Sequence, residues 1–227
     1  MDLLLHLRHE LGAFRACLDG DLSVPIEHCG DWTLRELAEH LGGSNLWAAK
    51  AVTERRGDYV PPAAPKDRAG LARWFDAASD TLLEALDTDP STEAWTFHPP
   101  ETVGFWQRRR CVEALLHRWD AERAIGTARP FDPELAGEGV AEVFEVMAPR
   151  QIVRGRAQLP DKALRLDAAD IGRSWTYGQG VPVAKVSGTA EGLLLMLWGR
   201  MSPDDDGLVW DGDRGAGEHL LSGPLTA

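Results

Sequence analysis

The chain has 227 residues, 44% of them hydrophobic, so it can bury one large core or two modest ones. Its formal net charge of −12 argues against a nucleic-acid partner, because phosphate contacts need clustered lysine and arginine. Three widely spaced cysteines (Cys17, Cys29 and Cys111) form neither a disulfide framework nor a CxxC metal site, which favours a reduced cytosolic setting.

The first residues, MDLLLHLRHELGAF, carry charges within their apolar pattern and lack the small-residue cleavage signal of a secretory peptide. The longest apolar run, GLLLMLWG, is far too short to cross a bilayer. We therefore expect a cytoplasmic protein with no membrane partner.

Four amphipathic helices are predicted in the first part of the chain. Apolar residues recur at helical spacing from Leu4 to Leu18, over residues 34–41, and again from Leu71 to Leu86. The fourth helix is predicted over residues 111–126, with an apolar stripe on one side. Together these patterns predict an antiparallel four-helix bundle.

The second of these helices has a clear start and an ambiguous end. Thr33 followed by Glu36 is a capping box, which marks a helix N-terminus. Gly42 and Gly43 normally indicate a stop, yet the helical pattern resumes after them. We expect the helix to continue, with a weak point or close packing at the two glycines.

The pattern changes after the bundle. Asp132 and Pro133 predict the start of another helix, short strand patterns follow between Gly and Asp turns, and Thr189 caps a further helix. The fold class is therefore predicted as α+β, a helical bundle followed by a smaller α/β domain. The boundary falls near residue 130 or 150, and we take the domains as 1–150 and 151–227.

One flank of the fourth helix carries a candidate metal site. Glu113 and His117 lie one turn apart beside the apolar stripe, so both side chains can reach a single point. His40, on the buried face of the second helix, is the best candidate for a third ligand. Two histidines and one carboxylate suit zinc or another divalent metal with one open position. Asp120, on the same flank, is the candidate catalytic residue, orienting an imidazole or a bound water.

The same residues also have an ordinary structural interpretation. A Glu and a His at this spacing form a common helical polar pair, and a half-buried histidine is often a hydrogen-bonded core residue. For two further groups the structural interpretation is the simpler one: residues 108–110, RRR, are expected to be a solvated face, and Cys29 a small core residue. The alternatives are that one of the three arginines faces the cleft and that Cys29 approaches the site.

Two stretches, CGDWTLRELAEHLGGSNLWA and VGFWQRRRCVEALLHRWDAERAIG, resemble the signature regions of the mycothiol-dependent maleylpyruvate isomerase family. The later stretch GTAEGLLLMLWGRM, followed by WDGD, resembles the second domain of that family. The resemblance implies a DinB-like four-helix bundle and a divalent metal, zinc in the isomerase, held by His40, Glu113 and His117. It also implies mycothiol as a thiol cosubstrate.

The implied chemistry is a metal-activated thiolate that isomerises a small electrophile or is transferred to it. Arg200, near the end of the Thr189 helix, is a candidate for binding an acidic substrate, although compensation of the helix dipole is the simpler interpretation. Three alternatives stay open: a metal-dependent hydrolase, a thiol-independent isomerase, and a non-catalytic metalloprotein that binds a small ligand. The sequence leaves monomer and homodimer equally open.

Overall fold

Four helices form the first unit of the computed structural model, which describes residues 1–226. They are α1 (Leu3–Cys17), α2 (Leu34–Thr53), α3 (Arg68–Leu86) and α4 (Val103–Ala124). Helix α1 packs on α4, α2 packs on α3, and α2 also contacts α4, so the helices close around one apolar core. The predicted helical bundle is confirmed.

The sequence of α2 explains both its start and its unbroken length. Thr33 and Glu36 form the predicted capping box, in which the Thr33 N–H donates to the Glu36 carboxylate over 2.8 Å. The helix then continues through Gly42 and Gly43. A Cβ atom at Gly42 would overlap the ring of Trp74 on α3, so this glycine allows the close packing that the sequence indicated.

Helix α4 is buried around most of its circumference although it carries several charges. It begins at Val103, well before the start predicted at residue 111. Besides the predicted apolar stripe, its buried residues include six polar or charged ones: Gln107, Arg109, Arg110, Arg118, Asp120 and Glu122. Buried charges are tolerated only when they are paired, so this helix must find its partners on its neighbours.

One such set of partners joins α4 to α1. Arg118 donates to Glu10 of α1 over 2.7 Å, to Glu122 over 2.8 Å, and to the Arg129 carbonyl over 2.8 Å. The side chains of Arg118, Glu10 and Glu122 are only 3–4% exposed. Arg129 covers the other Glu122 oxygen with a bond of 2.9 Å. This ion cluster fixes one flank of α4 against α1.

The second unit combines a small mixed sheet with further helices. Its elements are α5 (Pro133–Glu142), a π-helical turn (Val143–Met147), α6 (Ala148–Val153), β1 (Ala163–Ala168), β2 (Arg173–Gly178), β3 (Pro182–Gly188), α7 (Ala190–Leu197), β4 (Val209–Gly212) and α8 (Arg214–Leu221). The strand order is β2-β1-β3-β4, with β1 parallel to β3 and the other neighbours antiparallel. The predicted α+β class is confirmed. No helix within residues 1–226 has the length and apolarity that crossing a bilayer requires.

The structure divides the chain between Arg129 and Pro130. This differs from the division into 1–150 and 151–227 taken from the sequence. The physical reason is the packing of α5, which is capped by Asp132 and contacts α7 of the second unit. Helices α5 and α6 therefore extend the second unit at its amino-terminal end.

The buried ion cluster between α1 and α4 should be important for stability. We expect Arg118→Met to lower the free energy of unfolding by about 3–5 kcal/mol, because buried Glu10 loses its arginine partner and buried Glu122 loses one of its two. The matched control is Arg123→Met on the same helix. Arg123 forms an ion pair of 2.8 Å with Glu27, but these side chains are 49% and 61% exposed, so its loss should cost at most about 1 kcal/mol. Urea denaturation measures both, and equal losses would contradict the prediction.

Candidate metal centre

The three predicted metal ligands meet where α2 faces α4. His40 projects from α2, and its Nε2 lies 3.3 Å from Oε1 of Glu113 on α4. The rings of His40 and His117 meet edge to face, with centroids 5.4 Å apart. One donor atom from each of the three side chains lies within 4.8 Å of the other two. The structure thus brings together side chains that are far apart in the sequence.

The two oxygens of the Glu113 carboxylate have different partners. Oε2 accepts from Arg109 over 2.9 Å and lies 2.7 Å from a guanidinium nitrogen of Arg110, whereas Oε1 faces His40. Burial alone would raise the pKa of Glu113. The positive charges of Arg110 and Arg109, with the hydrogen bond from His40, instead hold that pKa well below its usual range. The carboxylate is therefore ionised and presents one oxygen toward the histidines.

The arginines behind Glu113 were misjudged from the sequence. Residues 108–110 were expected to be a solvated face, but Arg109 and Arg110 are only 7% and 1% exposed. Arg110 donates to the side chain of Asn45 on α2 over 2.7 Å. The expectation fails because these guanidiniums neutralise a buried carboxylate one turn along the helix and pair across to α2. The Arg-to-Glu spacings of three and four residues were the available signal.

Asp120 lies against His117, and its role in supporting a metal ligand stays a prediction. Nδ1 of His117 lies 3.0 Å from Oδ2 of Asp120, whose side chain is fully buried. This contact leaves Nε2 as the ring nitrogen available to a ligand. Burial lowers the pKa of His117, and this effect outweighs the opposing hydrogen bond and charge of Asp120. A neutral imidazole held in one orientation is the form that binds a metal.

Cys29 also approaches the site, which the sequence analysis held only as the alternative to a core position. It lies in the connection between α1 and α2, and its Sγ is 3.8 Å from Oδ2 of Asp120. Cys29, His117 and Asp120 form a second group whose donor atoms lie within 4.8 Å of one another. The sequence could not decide between the two positions because a residue in a long turn has no periodicity from which its direction follows.

The donor set fits a divalent metal on chemical grounds. It consists of two imidazoles and one carboxylate, a combination typical of zinc sites with an open position. The ionised Glu113 and the neutral His117 are both in their ligand forms, and Asp120 supports His117 from behind. His40 is the accessible member, since its side chain is 38% exposed against 12–13% for the other two. The arrangement can hold a metal on one side and admit a small molecule from another.

Arg200 lies just beyond the end of α7 in the second unit. Its Nη1 donates to the Trp198 carbonyl over 3.0 Å, and its guanidinium carbon is 6.0 Å from the centroid of the Trp198 ring. These contacts are local to the helix end, where a cation is favourable for the dipole. Its role in binding a substrate stays a prediction.

Both parts of the chain match family models. Residues 4–122 match the mycothiol maleylpyruvate isomerase N-terminal domain, and residues 134–219 match the C-terminal domain of the same isomerase. Uncharacterized proteins from two strains of Mycobacterium tuberculosis are each 32% identical to the chain over 161 residues. The aligned part is 66% of this chain and 82% of each relative.

Solved structures agree with the fold. The crystal structure of the mycothiol-dependent maleylpyruvate isomerase has a TM-score of 0.66 at 19% identity, and a histidine-to-alanine mutant of that enzyme has 0.66 at 18%. In both cases 92% of each chain is covered. With the two domain models spanning most of its length, the chain belongs to the mycothiol-dependent maleylpyruvate isomerase family.

Proposed function

We propose that this protein is a metal-dependent enzyme that activates a low-molecular-weight thiol, mycothiol. The activated thiol either isomerises a small electrophile or is transferred to it. The observation that carries the proposal is the meeting of His40, Glu113 and His117 from two helices, with their donor atoms within 4.8 Å of one another. Membership of the isomerase family supports the thiol and the isomerase class.

The three side chains would hold a divalent metal, most simply zinc. A metal bound there supplies Lewis acidity, which lowers the pKa of a thiol and yields the nucleophilic thiolate at neutral pH. Glu113 contributes the negative charge of the site. Asp120 retains the proton on Nδ1 of His117 and thereby directs Nε2 toward the other two ligands.

Isomerisation and transfer share their first step in this proposal. The thiolate adds to the activated double bond of the electrophile, and rotation about the resulting single bond precedes its departure in the isomerase reaction. In S-transfer the thiol stays attached. We assign to Arg200 the recognition of an acidic group on the substrate, because a guanidinium pairs well with a carboxylate.

Removal of one ligand should remove the metal. We expect purified wild-type protein to contain close to one equivalent of divalent metal by mass spectrometry, and His117→Ala to contain almost none. His219→Ala is the control, because His219 is an exposed residue of α8 and its loss should leave the metal content unchanged.

Calorimetric titration with mycothiol then tests whether the protein binds this thiol and whether binding depends on the metal. Binding that requires the metal is the expected result. Metal without thiol binding would replace the proposal with a hydrolytic or structural role, and absence of metal from both proteins after reconstitution would overturn it.

Asp120 should affect metal affinity indirectly, through its contact with His117. We expect Asp120→Asn to weaken metal affinity about 10–100-fold, because a neutral amide is a poorer partner for the imidazole than a carboxylate. Asp80→Asn, an exposed change on α3, is the matched control and should leave the affinity unaltered. Competition with a chelator measures both values, and equal affinities in the two variants would show that Asp120 does not support the ligand.

A further inference from the structure

A second group of metal-binding side chains surrounds the ring nitrogen of His117 that the proposed function does not use. The group consists of Cys29, His117 and Asp120, whose donor atoms lie within 4.8 Å of one another. Oδ2 of Asp120 is at its centre, 3.0 Å from Nδ1 of His117 and 3.8 Å from Sγ of Cys29. The group therefore offers one sulfur, one nitrogen and one oxygen ligand.

The separations between these atoms are close to those that one tetrahedral metal ion requires. Metal bonds of about 2.0 Å to nitrogen and to oxygen place these two ligands about 3.3 Å apart. A bond of about 2.3 Å to sulfur places the sulfur about 3.5 Å from the oxygen. The observed values of 3.0 Å and 3.8 Å each differ by about 0.3 Å from these separations. Small rotations of the side chains are therefore enough to admit an ion.

The turn that carries Cys29 has a fixed backbone. The Ile26 N–H donates to the Trp32 carbonyl over 2.8 Å. The Cys29 N–H donates to the Ile26 carbonyl over 3.2 Å, and the Cys29 carbonyl accepts from the Trp32 N–H over 3.3 Å. Gly30, with a φ of +63°, supplies the left-handed conformation that the turn needs directly after Cys29. These bonds hold the thiol at one position.

The two residues before Cys29 fasten the same turn to α4. The ring of His28 stacks on that of Trp119, with centroids 6.0 Å apart and an angle of 24° between the planes. Glu27 accepts from Arg123 over 2.8 Å. Because Trp119 directly precedes the aspartate of the group, these contacts bring the thiol to that carboxylate. The ligands are thus positioned by the fold, as a metal site requires.

Burial and ligand chemistry indicate which ion this group suits. The side chain of Asp120 is fully buried, that of His117 is 13% exposed, and Cys29 is half-buried. Water therefore competes little with an ion for these ligands. Thiolate and imidazole are ligands of zinc and similar thiophilic ions, whereas magnesium and calcium take oxygen ligands. The sulfur makes this group softer than the neighbouring one, which has no sulfur.

We propose that Cys29, Asp120 and Nδ1 of His117 form a second metal site, which binds a thiophilic divalent ion such as zinc or cadmium. This site needs neither His40 nor Glu113, and it goes beyond the proposed function. Binding removes one proton from Sγ of Cys29 and one from Nδ1. The Nδ1 proton is released to solvent when Nε2 also holds a metal, and it moves to Nε2 when it does not. The ion then orients the ring in place of the hydrogen bond to Asp120.

Cobalt tests the thiolate ligand directly, because a cobalt–thiolate bond adds charge-transfer absorption in the near ultraviolet. Metal-free protein is titrated with Co²⁺ in a buffer without thiols. We expect this absorption in the wild type and its loss in Cys29→Ser, which nearly keeps the side-chain shape but removes the soft ligand. Cys17→Ser is the matched control and should keep the absorption. Cys17 donates to the Ala13 carbonyl over 3.5 Å, a bond that a serine hydroxyl can also form.

Cadmium affinity gives a second measurement, made in the His40→Ala background, where the neighbouring group lacks one ligand. Calorimetry should show that adding Cys29→Ser weakens Cd²⁺ binding at least about tenfold, because loss of a ligand costs no less than loss of a supporting partner. Adding Cys17→Ser should leave it unchanged. Circular dichroism verifies the fold of each variant. Absence of the cobalt absorption from the wild type, its persistence in Cys29→Ser, or equal Cd²⁺ affinities would overturn the inference.

The His40→Ala variant also separates this inference from the proposed function. It should keep the cobalt–thiolate absorption, because His40 belongs only to the neighbouring group. Wild-type protein that binds cobalt and mycothiol without this absorption would refute the second site alone. Absorption that persists in His40→Ala, together with wild-type protein that binds no mycothiol, would support the second site and refute the proposed thiol chemistry.

Discussion

The ionised carboxylate of Glu113, buried between two arginines and a histidine, is the interaction on which the rest of the site depends. A buried anion is stable only when its charge is matched, and here Arg109 and Arg110 match it from its own helix. Arg110 is itself almost fully buried and needs acceptors of its own, which it finds on α2 in the side chain of Asn45. The Glu113 carboxylate is therefore balanced by two arginines, and one of them, Arg110, depends in turn on an acceptor from α2. The contact between the two ligand-bearing helices follows from charge pairing as well as from apolar packing.

A second charge cluster fixes the rotation of α4. Arg118 follows His117 in the sequence, yet it pairs with Glu10 on α1, whereas the imidazole of His117 faces His40 on α2. Neighbouring residues on a helix point about 100° apart, so these two contacts hold different flanks of α4. If the helix turned about its axis, both clusters would break. The relative positions of His40, Glu113 and His117 are thus set by the fold itself, which is the property that a functional site on rigid helices needs.

Sequence patterns predicted the parts that depend on local periodicity. The helical bundle, the capping box at Thr33 and the shared flank of Glu113, His117 and Asp120 all follow from spacing along one element, and the structure has each of them. The pairing of His40 with that flank is a tertiary contact, which spacing along one helix cannot show. It was predicted from the position of His40 on α2 and was supported by the family resemblance. The burial of Arg109 and Arg110 was not predicted, and the position of Cys29 was left undecided, for one physical reason. Burial of a charge and the direction of a turn residue are decided by neighbours distant in sequence. The sequence left the domain boundary near residue 130 or 150, because the side to which α5 belongs is decided by its contact with α7, and no pattern along the chain shows that contact.

The continuation of α2 through Gly42 and Gly43 affects both the packing of the bundle and the space beside His40. Two glycines inside a helix cost roughly 1 kcal/mol each relative to alanine, so their presence calls for a compensating gain. Gly42 obtains it from the close contact with Trp74, and Gly43 leaves open the space next to His40. The helix that carries His40 thereby also forms the floor of a neighbouring cavity. Since the two charge clusters already fix Glu113 and His117 on α4, the connection between α2 and α3 can differ in sequence without displacing either side chain.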